Sequence, residues 1–283
     1  MTYDQLMADG TARLKGAGIV NARLESRWLL AHVSGCQHSE LISRGSDQVP
    51  EQIIAAFLDR LSRREGREPM QHILGTTEFY GLEFLSDARA LIPRPDSEIV
   101  VEMALERISR EQPAFIADLG AGSGCLLAVL LANRPLARGE GVEASDAAAT
   151  LAGENLTRLG LADRSLVHRG SWTGWQNWAE ADLIISNPPY IASAEIEGLM
   201  PEVREYDPMS ALDGGTDGLD AYREIIGLAA QGMKQGAWLV FEIGFDQKEA
   251  VSALLDQAGF DEITCRKDLG GNDRAIAAKR PIV

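Results

Sequence analysis

The sequence predicts an α/β fold, a seven-stranded parallel sheet with crossover helices, preceded by a small helical bundle and a short β-hairpin. Three observations carry this. After Pro93-Arg94-Pro95, short apolar runs alternate with helical stretches, as in parallel sheets with crossover connections. Before Arg64, apolar residues recur at spacings of three and four. Between these two regions, Phe79, Tyr80, Leu82 and Phe84 surround Gly81 in the pattern of a hairpin.

The elements follow in order. Helical patterning starts at Tyr3; a second helix starts behind Asn21 as N-cap, buries Leu24, Trp28, Leu29 and Val33, and stops at Gly35. Another follows Pro50 and buries Ile53, Ile54, Phe57, Leu58 and Leu61. The hairpin spans Thr77 to Leu85, and Pro93-Arg94-Pro95 forms a stiff hinge. The predicted strands are Ala114 to Leu119, Gly141 to Ala144, Ser165 to Arg169, Leu183 to Ser186, Ala237 to Ile243, Glu262 to Arg266 and Arg274 to Ala278. The predicted helices are Ser97 to Ser109, Gly124 to Asn133, Asp146 to Leu159, Leu219 to Met233 and Gln247 to Ala258. The stretch Ile191 to Gly218 has no clear period and is long for a connection, so it is either a lid or a binding loop. These elements divide the chain into a helical domain at 1–75, a hairpin and Pro-rich linker at 76–95, and an α/β domain at 96–283.

Composition narrows the function classes. The 283 residues suffice for about two domains with real cores. With 45% hydrophobic and 24% charged residues, a disordered or collagenous chain is excluded. The formal charge of −15 works against a nucleic-acid partner, whose affinity rests on neutralised phosphates. Cys36, Cys125 and Cys265 are far apart and lack Cys-x-x-Cys spacing, so neither a disulfide framework nor a metal is expected. Met1 to Lys15 has no signal-peptide apolar run, and the longest apolar stretch, Cys125 to Ala132, is too short for a membrane span. A cytoplasmic protein with no membrane partner is expected.

Two segments carry chemistry. The first, Asp118-Leu119-Gly120-Ala121-Gly122-Ser123-Gly124, follows a strand and opens a helix. Glycines there allow a sharp turn and leave room for a ligand against the helix N-terminus. Its Gly-x-Gly-x-Gly spacing differs from the Gly-x-Gly-x-x-Gly of pyrophosphate-binding turns, which argues against a dinucleotide. About 20 residues on, Glu143 ends the next strand, where a carboxylate can accept both hydroxyls of a ribose. Trp172 follows the third strand; it either packs on an adenine ring or joins Trp175 and Trp178 in a packing stripe. The second segment is Asn187-Pro188-Pro189-Tyr190, directly after the strand ending at Ser186. Two prolines remove two N–H donors, leaving outward carbonyls as acceptors. The Asn187 oxygen and the Pro188 carbonyl can each accept one hydrogen of a planar amine or amide, while Tyr190 covers its flat face.

These segments resemble class I S-adenosylmethionine-dependent methyltransferases, among which Asn-Pro-Pro-Tyr after the fourth strand marks methylation of a nitrogen conjugated to a π-system. Three further segments narrow the resemblance: Arg67 to Gly75 (REPMQHILG), Leu91 to Glu98 (LIPRPDSE) and Ala211 to Gly215 (ALDGG). They are similar to the methyltransferases that modify glutamine in peptide-chain release factors, and the match covers essentially the full length. The resemblance implies a Rossmann-like fold, a helical domain that recognises the substrate, and methylation of the glutamine of a GGQ motif in class I release factors. It implies S-adenosyl-L-methionine as donor, S-adenosyl-L-homocysteine as product, and no metal. The implied cofactor contacts are Gly120, Ala121, Gly122, Ser123, Gly124, Glu143, Trp172 and Asn187. Asn187, Pro188, Pro189 and Tyr190 form the implied catalytic and substrate clamp. Ala121 stands where the family often has Thr or Cys, and Glu143 where Asp is common. Arg94 and Asp96 lie in a family motif near the catalytic site, and a structural salt link is the plain account of that pair. The expected partner is a release factor, with the enzyme itself a monomer that makes no direct nucleic-acid contact. The alternatives are a glutamine methyltransferase of a large-subunit ribosomal protein and a nucleic-acid exocyclic-amine methyltransferase. Neither His72 nor His168 falls in the tetrad, so no base is assigned.

Overall fold

The computed structural model describes residues 1–282, which fall into two units: Met1–Thr76 together with Pro201–Tyr206, and Thr77–Met200 together with the chain from Asp207 onward. The first unit holds α1 (Tyr3–Gly16), α2 (Ala22–Ser34), α3 (His38–Ser43), α4 (Glu51–Glu65) and α5 (Met70–Leu74). The α1 start is fixed by a reciprocal capping box between Thr2 and Gln5. Gly35, at φ 66°, ends α2 in the left-handed conformation that stops helices. Asn21 precedes that helix but makes no side-chain cap bond. Leu6, Leu14, Leu29, Leu30, Phe57 and Leu61 form the core of the unit.

Residues 201–206 join the helices through polar contacts. Buried Arg64 pairs with Glu25 at 2.6 Å and Glu202 at 3.1 Å, and Arg67 holds the other Glu202 oxygen at 2.8 Å. The Tyr206 hydroxyl donates to the Gly66 carbonyl at 2.6 Å. Paired in this way, the buried guanidinium avoids the penalty of an isolated charge.

The hairpin pairs β1 (Thr76–Phe79) with β2 (Leu82–Leu85). Its two-residue turn, Tyr80-Gly81, has φ of 51° and 74°, the type I′ geometry that matches strand twist. The second unit then builds α6 (Glu98–Leu105), β3 (Phe115–Leu119), α7 (Cys125–Asn133), β4 (Arg138–Glu143), α8 (Asp146–Arg158), β5 (Ser165–Arg169) and β6 (Leu183–Ser186). Beyond the short turn α9 (Pro201–Arg204) of the first unit come α10 (Asp220–Gly232), β7 (Trp238–Glu242), α11 (Lys248–Gln257), β8 (Asp261–Lys267) and β9 (Asp273–Lys279). The seven-stranded sheet has the order β5-β4-β3-β6-β7-β9-β8. Apolar side chains cover both faces, as a mainly parallel sheet requires.

Four details differ from the sequence expectation. β9 runs antiparallel to β7 and β8, because the link Asp268–Asn272 is too short for a crossover and closes as a hairpin. β4 begins at Arg138, three residues early, through an Arg-Gly-Glu-Gly stretch with no apolar signal. A Cβ on Gly139 would lie 2.6 Å from the Leu127 side chain, so α7 packs where a strand side chain would stand. α6 ends at Leu105, not Ser109; Arg134 donates to the carbonyls of Leu105 and Ile108 and takes over the helix end. The stretch 191–218 is not featureless, since Ser193–Gly198 and Met209–Ala211 are 3₁₀ turns on either side of α9.

Candidate active site

Going outward from the sheet centre, chain order runs β3, β4, β5 on one side and β6, β7 on the other, so the direction reverses between β3 and β6. Ligands in open α/β sheets bind at the carboxyl ends of the strands beside such a reversal. The two strand ends are tied there by the Ser186 hydroxyl, which donates to the Leu119 carbonyl at 2.5 Å.

The glycine loop leaves β3 at this edge. Gly120 and Ala121 both donate to the Val142 carbonyl, at 2.8 and 3.1 Å, which pins the loop to the end of β4. Gly122 has φ 54°, and a Cβ built on it meets nothing within 4 Å. That left-handed backbone therefore borders open space, which any side chain would fill. Glu143 braces the turn, one carboxylate oxygen accepting from Gly122 N–H and the other from Ser145 N–H, both at 2.8 Å. Each oxygen retains acceptor capacity for a ligand.

Beneath the loop, Asp118 is fully buried and accepts from Leu127 N–H at 3.2 Å. Burial pushes its carboxyl up to about 7, with the Glu143 charge adding to the rise. A raised carboxyl contributes stability that is complete below its unfolded pKa and lost as pH climbs through 7. Asp118→Asn should therefore stabilise the ligand-free protein at pH 8 by up to about 4 kcal/mol, with the gain shrinking toward pH 4. Thermal unfolding at the two pH values checks this; an equal shift at both would contradict it. Asn155, also buried, donates to the Ser123 carbonyl at 3.0 Å and accepts from Leu85 N–H at 2.7 Å, fastening the loop to β2.

A cavity of about 980 Å³, open mouth included, collects Gly120, Ala121, Gly122, Ser123, Glu143, Trp172, Asn187 and Pro189 on one wall system. Leu91, Ile92, Pro93 and Arg94 contribute another side, and Pro208, Ser210 and Ala211 a third. Gly124, Pro188 and Tyr190 are not on its wall. Gly124 caps α7 at φ 77°, with Ala152 of α8 3.1 Å from where its Cβ would be. Pro188 is buried, and the Tyr190 hydroxyl reaches Glu242 at 3.2 Å. Trp172 lines the cavity and donates to Glu224 at 2.5 Å while also packing against the apolar cluster in which Trp175 and Trp178 are buried edge to face at 5.2 Å. Cys125 also lines the cavity, but burial pushes its thiol up to about 12, far from a nucleophilic thiolate.

Arg94 does not pair with Asp96. Its guanidinium donates to Asp207 at 2.8 Å, and that carboxylate is wholly buried beside the cavity wall formed by Pro208. Sequence reading missed Asp207, Asn155 and Glu242, which act over separations of 113, 70 and 52 residues. A buried-acid position at the end of β7, inside the apolar run Trp238 to Ile243, was the one available signal.

Comparison with known proteins places this geometry. Residues 5–75 match the family model described as the PrmC N-terminal domain, and residues 97–201 match the methyltransferase small domain. The chain is 41% identical to a release factor glutamine methyltransferase of Geobacter sulfurreducens, over 93% of this chain and 91% of that protein. It is 44% identical to one of Bradyrhizobium diazoefficiens, over 95% and 92%. The chain belongs to the release factor glutamine methyltransferase family. Among solved structures, the human Mettl16 catalytic domain, crystallised with an RNA hairpin, superposes with a TM-score of 0.61 at 17% identity, covering 79% of this chain and 83% of that one. At that identity the likeness establishes the methyltransferase fold. Among the described residues no helix is long and apolar enough to cross a membrane.

Glu143→Ala removes the brace on Gly122 and two carboxylate oxygens from the cavity wall. Donor affinity should fall by about 2 kcal/mol, or roughly 30-fold, the scale of lost charged hydrogen bonds. Calorimetry with S-adenosylmethionine reads it directly, and an unchanged Kd would rule out a donor contact at Glu143.

Proposed function

We propose that this enzyme methylates the side-chain amide nitrogen of the GGQ glutamine in class I peptide-chain release factors, using S-adenosylmethionine and releasing S-adenosylhomocysteine. The observation that supports it most is the meeting of Gly122, Glu143 and Asn187 on one cavity, since donor and acceptor must share a space for direct transfer. The relatives named for this reaction span nearly the whole chain, which supports the same reading.

When bound, the sulfonium donor supplies a methyl group that is already activated. The residues present fit such a molecule: Gly122 offers Cβ-free space, and Glu143 holds two carboxylate oxygens beside it. Asn187 and the Pro188 carbonyl accept the two amide hydrogens, which raises electron density on a weakly nucleophilic nitrogen and directs its lone pair. Tyr190 covers the flat face of the amide. The nitrogen gains a carbon as the methyl–sulfur bond breaks, and it gives up one proton to solvent. His168 is not assigned as base: it stands on β5, 2.9 Å from Glu140, with β4 and β3 between it and the strand that Asn187 follows.

The helical unit is assigned to recognition of the protein substrate, because a glutamine side chain alone offers too little surface to select one protein. A stable, selective complex needs about 1,200–2,000 Å² of buried surface. A chain starting at Thr77, which keeps the hairpin and the whole second unit, should bind S-adenosylmethionine yet methylate intact release factor with at least tenfold lower kcat/KM, a loss of about 1.4 kcal/mol. Full activity from that chain would reassign recognition to the second unit. The overall reading is tested by mass spectrometry of a class I release factor incubated with this protein and labelled donor. One added methyl on the GGQ peptide is expected, and none after full incubation would overturn the reading. A translation-factor substrate also implies a cytoplasmic enzyme.

A further inference from the structure

The six-residue turn from β7 into α11, Glu242-Ile243-Gly244-Phe245-Asp246-Gln247, is absorbed by neither the cofactor site nor the substrate clamp. Phe241 is in register with Ser186, so Glu242 stands beside the first residue of the Asn-Pro-Pro-Tyr tetrad. Its side chain is 2% exposed, and Oε1 accepts from the Tyr190 hydroxyl at 3.2 Å. Five residues on, Gln247 grips the other end of the same tyrosine: Nε2 donates to the Tyr190 carbonyl at 2.9 Å and to the Gly218 carbonyl at 3.2 Å. The turn is itself fixed, since Gln247 Oε1 accepts from Gly244 N–H at 2.9 Å and the Tyr222 hydroxyl donates to the Glu242 carbonyl at 2.7 Å. Gly214 and Gly218 close the remaining side. A Cβ on the first would lie 2.8 Å from the Pro189 carbonyl, and on the second 2.3 Å from the Tyr190 carbonyl.

We propose that Glu242 and Gln247 are positioning residues for methyl transfer, holding the hydroxyl and carbonyl of Tyr190 from one turn and so fixing the aromatic face against which the substrate amide lies. The proposal rests on the glutamine-methylation reading for its kinetic part only. Its physical basis is cost: a carboxyl at a fully buried strand end loses hydration that an aliphatic residue of similar volume would not. The groups facing it are Tyr190, Ser97, Arg274 and Asp96, and burial outweighs the groups that favour its charge, so its pKa is raised. A core needing only volume would place Leu there. A directional acceptor is what a phenol requires if its ring plane is to be set rather than left to rotate.

Glu242→Leu removes the acceptor and keeps the volume. It should lower kcat on release factor about tenfold, leave the S-adenosylmethionine Kd within about twofold, and not lower the unfolding temperature. Glu242→Gln retains an acceptor oxygen and should keep kcat within about threefold of wild type. In a Tyr190→Phe background, Glu242→Leu should have no further effect, because the bond through which it acts is gone. The substrate-independent readout is the ¹⁹F resonance of 3-fluorotyrosine at residue 190, assigned by its loss in Tyr190→Phe. It should be a single line in wild type and Glu242→Gln, and broadened or split in Glu242→Leu and Gln247→Leu. If wild type methylates no release factor, the functional reading falls and the ¹⁹F line alone decides the positioning role. An unchanged line in both Leu variants overturns the proposal, as does an equal kcat loss in the Tyr190→Phe background. Should Glu242→Leu fail to fold, Tyr190→Phe breaks the same bond from the other end and must lower kcat by the same factor; undiminished turnover overturns the proposal.

Discussion

Replacing Asn187 by alanine should lower kcat by about two orders of magnitude while leaving the fold intact, the equivalent of roughly 3 kcal/mol of transition-state stabilisation. The reason lies in what the position offers. Asn187 leaves β6 one residue after Ser186, whose hydroxyl ties the strand to the end of β3, so the side chain is presented from a rigid edge. It lines the cavity together with Gly122 and Glu143, and in the proposed reaction its amide oxygen is the acceptor for a hydrogen of the nucleophile. Alanine removes that acceptor without disturbing the proline pair behind it. The donor should still bind to within several-fold, so the loss appears in single-turnover rates on a release factor and not in calorimetry with S-adenosylmethionine. Near-normal turnover would reduce the tetrad to a strand-ending turn. Asn187→Asp is a stricter companion: it keeps an oxygen but exchanges a neutral amide for a carboxylate, and it should be similarly impaired.

Much of this site was legible because its parts are local. Glycines at 120, 122 and 124 must be read together with the strand before and the helix after, and all three are close in sequence. The same holds for Gly35, whose positive φ ends α2 where the apolar periodicity stops. The tetrad was legible for the same reason, since two prolines after a four-residue apolar strand have few structural uses. What escaped was everything set by distant partners. The N-terminal half of β4 escaped because glycines replace its apolar residues where α7 packs close. Asp207 looks like an ordinary acid in sequence, and the apolar run around Glu242 signals burial without naming its partner. Only folding buries one against Arg94 and the other against Tyr190. Residues 201–206 escaped because ion pairs with Arg64 and Arg67, more than 130 residues away, assign them to the helical unit. Periodicity reports which face of an element is apolar, and it carries no information about such pairings.

Gly122→Val should abolish measurable donor binding in a protein that remains folded. Two separate effects act at this position. First, φ at Gly122 is 54°, a region that a β-branched residue enters only with strain of about 1–3 kcal/mol. Second, a Cβ there meets no protein atom within 4 Å, so the added side chain has nowhere to go except the cavity. The first effect weakens the loop and the second occupies the space a ligand needs. Gly122→Ala separates them, since alanine carries a smaller conformational cost and only one methyl group. If occupancy dominates, alanine should weaken S-adenosylmethionine binding by about tenfold, near 1.4 kcal/mol, and valine beyond detection. The Glu143 brace sharpens the expectation. Its oxygen accepts from Gly122 N–H at 2.8 Å, so the loop cannot swing away to accommodate the side chain without giving up a charge-assisted bond. Calorimetry on both variants, with circular dichroism confirming the fold, decides it. A folded valine variant with wild-type affinity would move the donor away from this loop, and with it the meeting of donor and amide on which the proposed reaction depends.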